Sequence, residues 1–147
     1  MDIQQINRTD GESVRVAFKN VDGGGSITTG FGVALVTAAA SFDGVSSTKA
    51  TASNPRTFYG VSQDDVAINS YGKAVVWGIA SIAISNVGTS ITVSGGDLLI
   101  PGALSGTYFS GATADAALST LLYRYAVSGT TTTISALAWV TGFVRGF

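Results

Sequence analysis

Residues 57–102 read TFYGVSQDDVAINSYGKAVVWGIASIAISNVGTSITVSGGDLLIPG, and the reading of this stretch decides the fold. Short β-branched and aromatic runs alternate with turn residues at the 8–12-residue spacing of a sandwich or small barrel. Phe58-Tyr59-Gly60-Val61-Ser62 leads into a polar turn at Gln63-Asp64-Asp65. Val66-Ala67-Ile68 follows, then a turn at Asn69-Ser70-Tyr71-Gly72, then the strand-like Lys73-Ala74-Val75-Val76-Trp77-Gly78-Ile79. In the second half, Ile82-Ala83-Ile84 and Ile91-Thr92-Val93 flank Asn86-Val87-Gly88, and Gly95-Gly96-Asp97 opens into Leu98-Leu99-Ile100-Pro101. The stretch reads as scaffold, with no reaction centre in it.

Working outward, residues 1–26 carry a large share of the charge, and Val14-Arg15-Val16-Ala17-Phe18-Lys19 alternates apolar with basic residues. This segment reads as an N-terminal arm or edge strand, or equally as the first strand of the barrel, closed by the break Gly23-Gly24-Gly25. Residues 27–147 form the single β-domain. Within it Val33-Ala34-Leu35-Val36 is a buried-strand candidate, followed by alanines with the makings of a helical turn. Residues 41–55 read as a Ser/Thr/Ala-rich loop closed by Asn54-Pro55. Gly106-Thr107-Tyr108-Phe109 is strand-like, and Thr113-Ala114-Asp115-Ala116-Ala117-Leu118 has a Thr cap, an early Asp and the alanines of one short helix. The chain ends as a hairpin: residues 121–127, a turn at Ser128-Gly129-Thr130, and a return over residues 133–143. In that return Ala138 and Val140 share one face, and Leu137, Trp139 and Thr141 the other. Both faces are apolar, so the hairpin is expected to be covered on both sides. The fold class is therefore all-β, a single small barrel or sandwich of short antiparallel strands with at most one short helix.

Composition narrows the function. The 147 residues hold eight basic and nine acidic side chains, only 12 % charged against roughly 25 % in ordinary domains. Mean hydropathy is +0.38. No basic excess draws the chain to nucleic acid, and the uncharged run from residue 74 to 96 is too often interrupted by Ser, Asn, Gly and Thr to span a bilayer. A protein interface covering apolar surface is the better account. There is no cysteine and no histidine, which removes thiolate chemistry, the commonest general base and the commonest zinc ligand. Residues 1–13 have neither the basic nor the apolar region of a secretory signal.

The remaining chemistry is thin. Asp64-Asp65 is an adjacent acidic pair, but in a turn both are solvated, and Asp97 reads as a turn aspartate. Gly23-Gly24-Gly25 lacks the Lys and Ser/Thr of a phosphate loop. Phe58, Tyr59, Tyr71 and Trp77 near Arg56 and Lys73 make the mixture of a single-strand binder without its net charge. Residues 66–72 are similar to the uracil-binding hairpin of trimeric dUTP pyrophosphatases. That family's Arg-Ser-Ser type phosphate segment is absent, its C-terminal arm shrinks to Arg145-Gly146-Phe147, and Asn69 stands where a catalytic aspartate is required. No enzyme, cofactor, metal or small-molecule substrate is expected.

Gly60-Val61, then Gly72, then Val75-Val76-Trp77-Gly78 and Gly96-Asp97 resemble the pattern of the cement, or decoration, proteins of tailed-phage heads, over about a third of the chain. The resemblance implies a compact β-barrel-like homotrimer outside the capsid at local three-fold positions, assembled in the host cytoplasm. There it would clamp the major capsid protein against internal DNA pressure. It carries no catalytic residues. The 41–55 loop and the C-terminal hairpin depart from the family pattern. Candidate trimer or capsid contacts are Arg15, Phe18, Trp77, Tyr123, Tyr125, Trp139 and Phe143, with Trp77 or Trp139 as trimer anchor. A tail, fibre or adhesin component is the alternative, ahead of a small trimeric β enzyme.

Overall fold

The structure, a computed structural model, describes residues 13–37, 43–51, 57–84, 91–94, 98–101, 109–111, 125–128, 132–134 and 137–146. These hold eleven strands and no helical element: β1 (Val14–Asn20), β2 (Gly32–Leu35), β3 (Ser46–Lys49), β4 (Phe58–Ser62), β5 (Tyr71–Ile84), β6 (Ile91–Val93), β7 (Leu98–Pro101), β8 (Phe109–Gly111), β9 (Tyr125–Ser128), β10 (Thr132–Ile134) and β11 (Ala138–Arg145). The short helix expected at residues 113–118 lies outside the described residues, as does the alanine turn after residue 37.

The first five strands close on themselves. Around the ring β1 neighbours β3, β3 neighbours β2, then β4, then β5, and β5 returns to β1 through the ladder Arg15↔Val75 to Lys19↔Tyr71. A closed ring leaves none of these strands with a free edge over its paired length. Of the two readings open for Val14–Lys19, the structure takes the barrel strand, bonded on both sides. Phe18, Ile27, Phe31, Val33, Tyr59, Val66, Ala74 and Val76 fill the interior. Ile27 and Val66 form an isolated bridge that carries their side chains into it.

β3 corrects the expectation of an unbroken loop over residues 41–55. Ser46, Ser47, Thr48 and Lys49 have no large apolar side chain, so pattern alone passes them by. The strand exists because β1 pairs with it in parallel and β2 antiparallel. The turn before it is closed by Asp43, whose carboxylate accepts from the N–H groups of Val45 (2.9 Å) and Ser46 (2.6 Å) and from Ser46 Oγ (2.7 Å). Those bonds, the Ser46 N–H first, hold the Asp43 carboxyl down at about 2.

β5 corrects a second expectation: Lys73–Ile79 and Ile82–Ile84 are one 14-residue strand. Its first half belongs to the barrel, and its second half leaves it. Val14 pairs with Trp77 while Arg15 pairs with Val75, so an extra residue bulges from β5 there. Gly78 follows with φ 113°, a conformation glycine alone adopts without strain. The strand then doubles back. Ser62 is the partner of Ala74, Gly30 donates to the Ser62 carbonyl (2.8 Å), and Ala83 donates to the Gly30 carbonyl (3.0 Å), so two points of β5 nine residues apart reach the same junction.

The returning half of β5 pairs with β11, and the same nine-stranded sheet continues as a second layer through β9, β7 and β8, with β8 meeting the end of β5 in parallel at Ile84↔Phe109. This layer lies over the outside of the barrel. Ala34, Phe58, Val61 and Val75 meet Ala80, Ile82, Ile84, Leu99, Val140 and Val144 in a second apolar core between the layers. The C-terminal hairpin is the third correction. Its return is split, Thr132–Ile134 pairing with β6 and Ala138–Arg145 with β5 and β9. The two arms still pair antiparallel, but through residues 125–128 and 142–145, with β10 diverted between them and β5 on the other edge of β11.

Candidate interaction surface on β5 and β11

With period-2 alternation, one side of the β5–β11 ladder feeds the inter-layer core and the other faces outward. The outward partners are Trp77↔Arg145, Ile79↔Phe143 and Ser81↔Thr141, and Trp139 ends the row opposite Ala83, which is itself buried against the barrel residues. Ordinary two-layer proteins make such a face polar. Here Trp77 is 40 % exposed, Ile79 51 %, Trp139 51 % and Phe143 38 %.

These side chains are ordered against one another. The Trp77 and Phe143 rings meet edge to face, centroids 5.2 Å apart at 84°. The Arg145 guanidinium lies 5.9 Å from the Trp77 ring centre, a cation–π contact. At the other end, the Trp139 indole N–H points at the Thr29 carbonyl across 3.4 Å and its ring closes over Gly30. Gly30 has φ 87°, and a Cβ there would come 2.9 Å from the Ala83 nitrogen and 3.0 Å from Trp139 Nε1.

A cleft of about 300 Å³ opens beside this face, lined by Thr29, Ser62, Gln63, Asp64, Ala80 and Ser81. Its walls are fixed by the Asp64-Asp65 turn read from the sequence. Asp65 Oδ1 accepts from the Thr29 N–H (2.7 Å) and Oγ1 (3.0 Å), and those bonds, the main-chain one first, lower its pKa. Asp64 Oδ2 accepts from the Lys73 N–H (3.0 Å), and Ser62 Oγ donates to the Asp64 carbonyl (2.7 Å). Asp64 is exposed, and its second oxygen has no partner among the described residues. Gly146 donates to the Val76 carbonyl (2.7 Å), which sets the parity of the ladder: Gly78, Ala80 and Ile82 turn their main-chain groups to β11, and Ile79 and Ser81 turn theirs to the opposite edge.

Comparison with protein-family models, with curated proteins and with solved structures finds no match for the chain. The surface therefore stands on its own chemistry.

Of the seven sequence-based contact candidates, the structure gathers Trp77, Trp139 and Phe143 on one face. Arg15 is exposed on β1 opposite Val75, next to that face. Tyr125 holds the register position beside Arg145 on β9. Tyr123 lies outside the described residues. Phe18 is fully buried in the barrel and faces the chain's own interior. Sequence reasoning missed Ile79 and Arg145. The signal for Ile79 was its spacing two residues from Trp77, hidden because Gly78-Ile79 read as a strand end.

Among the described residues no three His, Cys, Asp or Glu side chains converge as a metal site would require, and no helix is long and apolar enough to cross a membrane. What the surface offers is apolar area, one cation and one carboxylate.

Proposed function

We propose that this chain is a virion structural protein of the cement type, binding the outside of a phage head as a trimer and stabilising the shell of major capsid protein. The observation that carries the reading is the outward face of β5 and β11, where Trp77, Ile79, Trp139 and Phe143 stand where a free-standing sheet places polar residues. A cement protein acts through buried area, and a standard interface takes roughly 800 Å² from each partner. Burying one large apolar side chain is worth about 1.5–3 kcal/mol. A protein repeated over a shell needs only modest affinity per contact, because linked contacts reinforce one another. The closed barrel supports the same reading by presenting this face on a rigid base.

The test is co-sedimentation of the purified protein with expanded heads of its own virus that lack it. Saturable binding at about one trimer per local three-fold position is expected. Absence of saturable binding at any protein concentration would overturn the reading.

A further inference from the structure

We propose that the occupant of the outward β5–β11 face is a second copy of this chain, docked so that its Arg145–Trp77 corner enters the neighbour's cleft between Ser81 and Asp64. This deepens the assembly reading, from which it takes the use of the face, and requires nothing of the capsid partner.

Three observations carry it. The first is area. From their fractional exposures, Trp77, Ile79, Trp139 and Phe143 together present roughly 400 Å² of side chain, as large as the biggest patches that monomers keep in water. That is about half of what one partner gives a standard interface, before the surrounding polar rim is counted.

The second is charge. On this face Arg145 is the charged member, and it sits at the Trp77 end of the ladder. Asp64, exposed with one free oxygen, stands in the cleft beside Ser81. Neither side chain is in an ion pair within the described part of its own chain. They do not pair within one copy: Arg145 lies over the Trp77 ring, and Asp64 Oδ2 is held by the Lys73 N–H. Between two copies they are complementary, because the basic corner of one meets the acidic cleft of the next.

The third is shape. The cleft, at about 300 Å³, has room for an arginine side chain. Its wall carries the main-chain groups of Ser81, turned away from β11 and bonded to no described strand. A guanidinium has donors for both the Asp64 carboxylate and such a carbonyl in a planar fork. Trp77 beneath Arg145 is carried in with it and meets the neighbour's Thr29 and Trp139 end. A partner of unrelated sequence would have to supply both a matched cation and a matched apolar stripe, and this chain holds both.

The experiment measures mass in solution by sedimentation velocity, with no heads present, so that its failure is distinguishable from failure of the head-binding reading. The wild-type protein is expected to be multimeric. Arg145→Glu and Asp64→Arg are each expected to weaken self-association at least tenfold, and the double reversal is expected to regain it. Because Asp64 also holds the Lys73 N–H, circular dichroism accompanies each variant. If Asp64→Arg does not fold, Gln63→Arg combined with Arg145→Glu rebuilds the same attraction from another cleft residue. A monomeric wild type at tens of micromolar would overturn the proposal. So would a multimer indifferent to both reversals, or single variants whose loss the double variant does not recover.

Discussion

Asn20 has no exposed surface, and every polar atom of its side chain is used. Its amide donates to the carbonyls of Val66 (2.8 Å) and Gly25 (3.1 Å), and its Oδ1 accepts from the Asp22 N–H (2.9 Å). One side chain thus ties the end of β1 to the glycine turn after it and to the Ile27–Val66 bridge that closes the barrel. Removing it strands the Gly25 carbonyl and the Asp22 N–H and leaves the Val66 carbonyl with the Ile27 N–H alone (2.9 Å); a buried polar group left unpaired costs about 1–3 kcal/mol, though the exposed turn lets water recover part of that. Asn20→Ala should therefore lower unfolding free energy by about 2–3 kcal/mol, read as a shifted urea midpoint at unchanged slope. Tyr59 makes a prediction in pH. Its ring is buried in the barrel, 2.9 Å from Ser47 Oγ, and burial pushes its phenol up from 10.0 to about 12, with the Ser47 hydroxyl opposing. A raised folded-state pKa means the folded protein holds the proton longer than the unfolded chain. Stability from the neutral phenol is fully present below pH 10 and is lost as pH rises from 10 towards 12, by up to about 1.4 kcal/mol per pH unit. In Tyr59→Phe that slope should disappear, and an unchanged alkaline slope would show that Tyr59 does not ionise from a buried state. Neither role was legible in the sequence. Asn20 looks like any residue at a strand end, and Tyr59 reads only as one aromatic among Phe58, Tyr71 and Trp77, because burial of a polar atom is decided by partners distant in sequence.

The element that organises the chain is β5, which serves the barrel up to Trp77 and the covering sheet beyond it. The change of layer rests on the bulge at Val75–Trp77 and on Gly78 at φ 113°. A Cβ there is strained in any surroundings, so Gly78→Ala should cost about 2–3 kcal/mol. The loss should appear in the near-ultraviolet signal of Trp77 and Phe143 before the far-ultraviolet signal of the barrel, because the bend sets the second layer on the first. β4 was legible as Phe58–Ser62, bounded on one side by a polar turn, and β2 as a short apolar run. β3 was not, since three small polar residues and a lysine become a strand only when β1 and β2 both present open edges. The hairpin of residues 121–143 was legible in part, since Tyr125–Ser128 does pair antiparallel with the end of the return, but its register was not, for a related reason. Its alternation correctly separates Val140 from Trp139 and Thr141, but periodicity names faces and not partners, and β5 is the longer template.

At the scale of the whole molecule, apolar side chains occupy three surfaces: the barrel interior, the seam between barrel and covering sheet, and the outward side of that sheet. Two layers need only the first two. The low charge and positive mean hydropathy of the chain are thereby located, since the excess apolar residues include Trp77, Ile79, Trp139 and Phe143. The face contributes little to folding, because its side chains are already half in water, and much to association, where they would lose the rest of it. The two contributions separate experimentally at Ile79. It is 51 % exposed and projects away from both cores, so Ile79→Lys should change unfolding free energy by no more than about 0.5 kcal/mol. In a buried interface the same change forfeits about 1.5–3 kcal/mol of apolar burial and adds an unpaired ammonium. Self-association, read by sedimentation velocity, should therefore weaken at least tenfold, since about 1.4 kcal/mol corresponds to each factor of ten. Arg15→Glu, a charge reversal on the neighbouring barrel strand, provides the contrast: it alters charge near the face without touching its apolar centre, and should weaken self-association far less. Equal losses in the two variants would mean that electrostatics of the barrel, and not the aromatic face, hold the copies together.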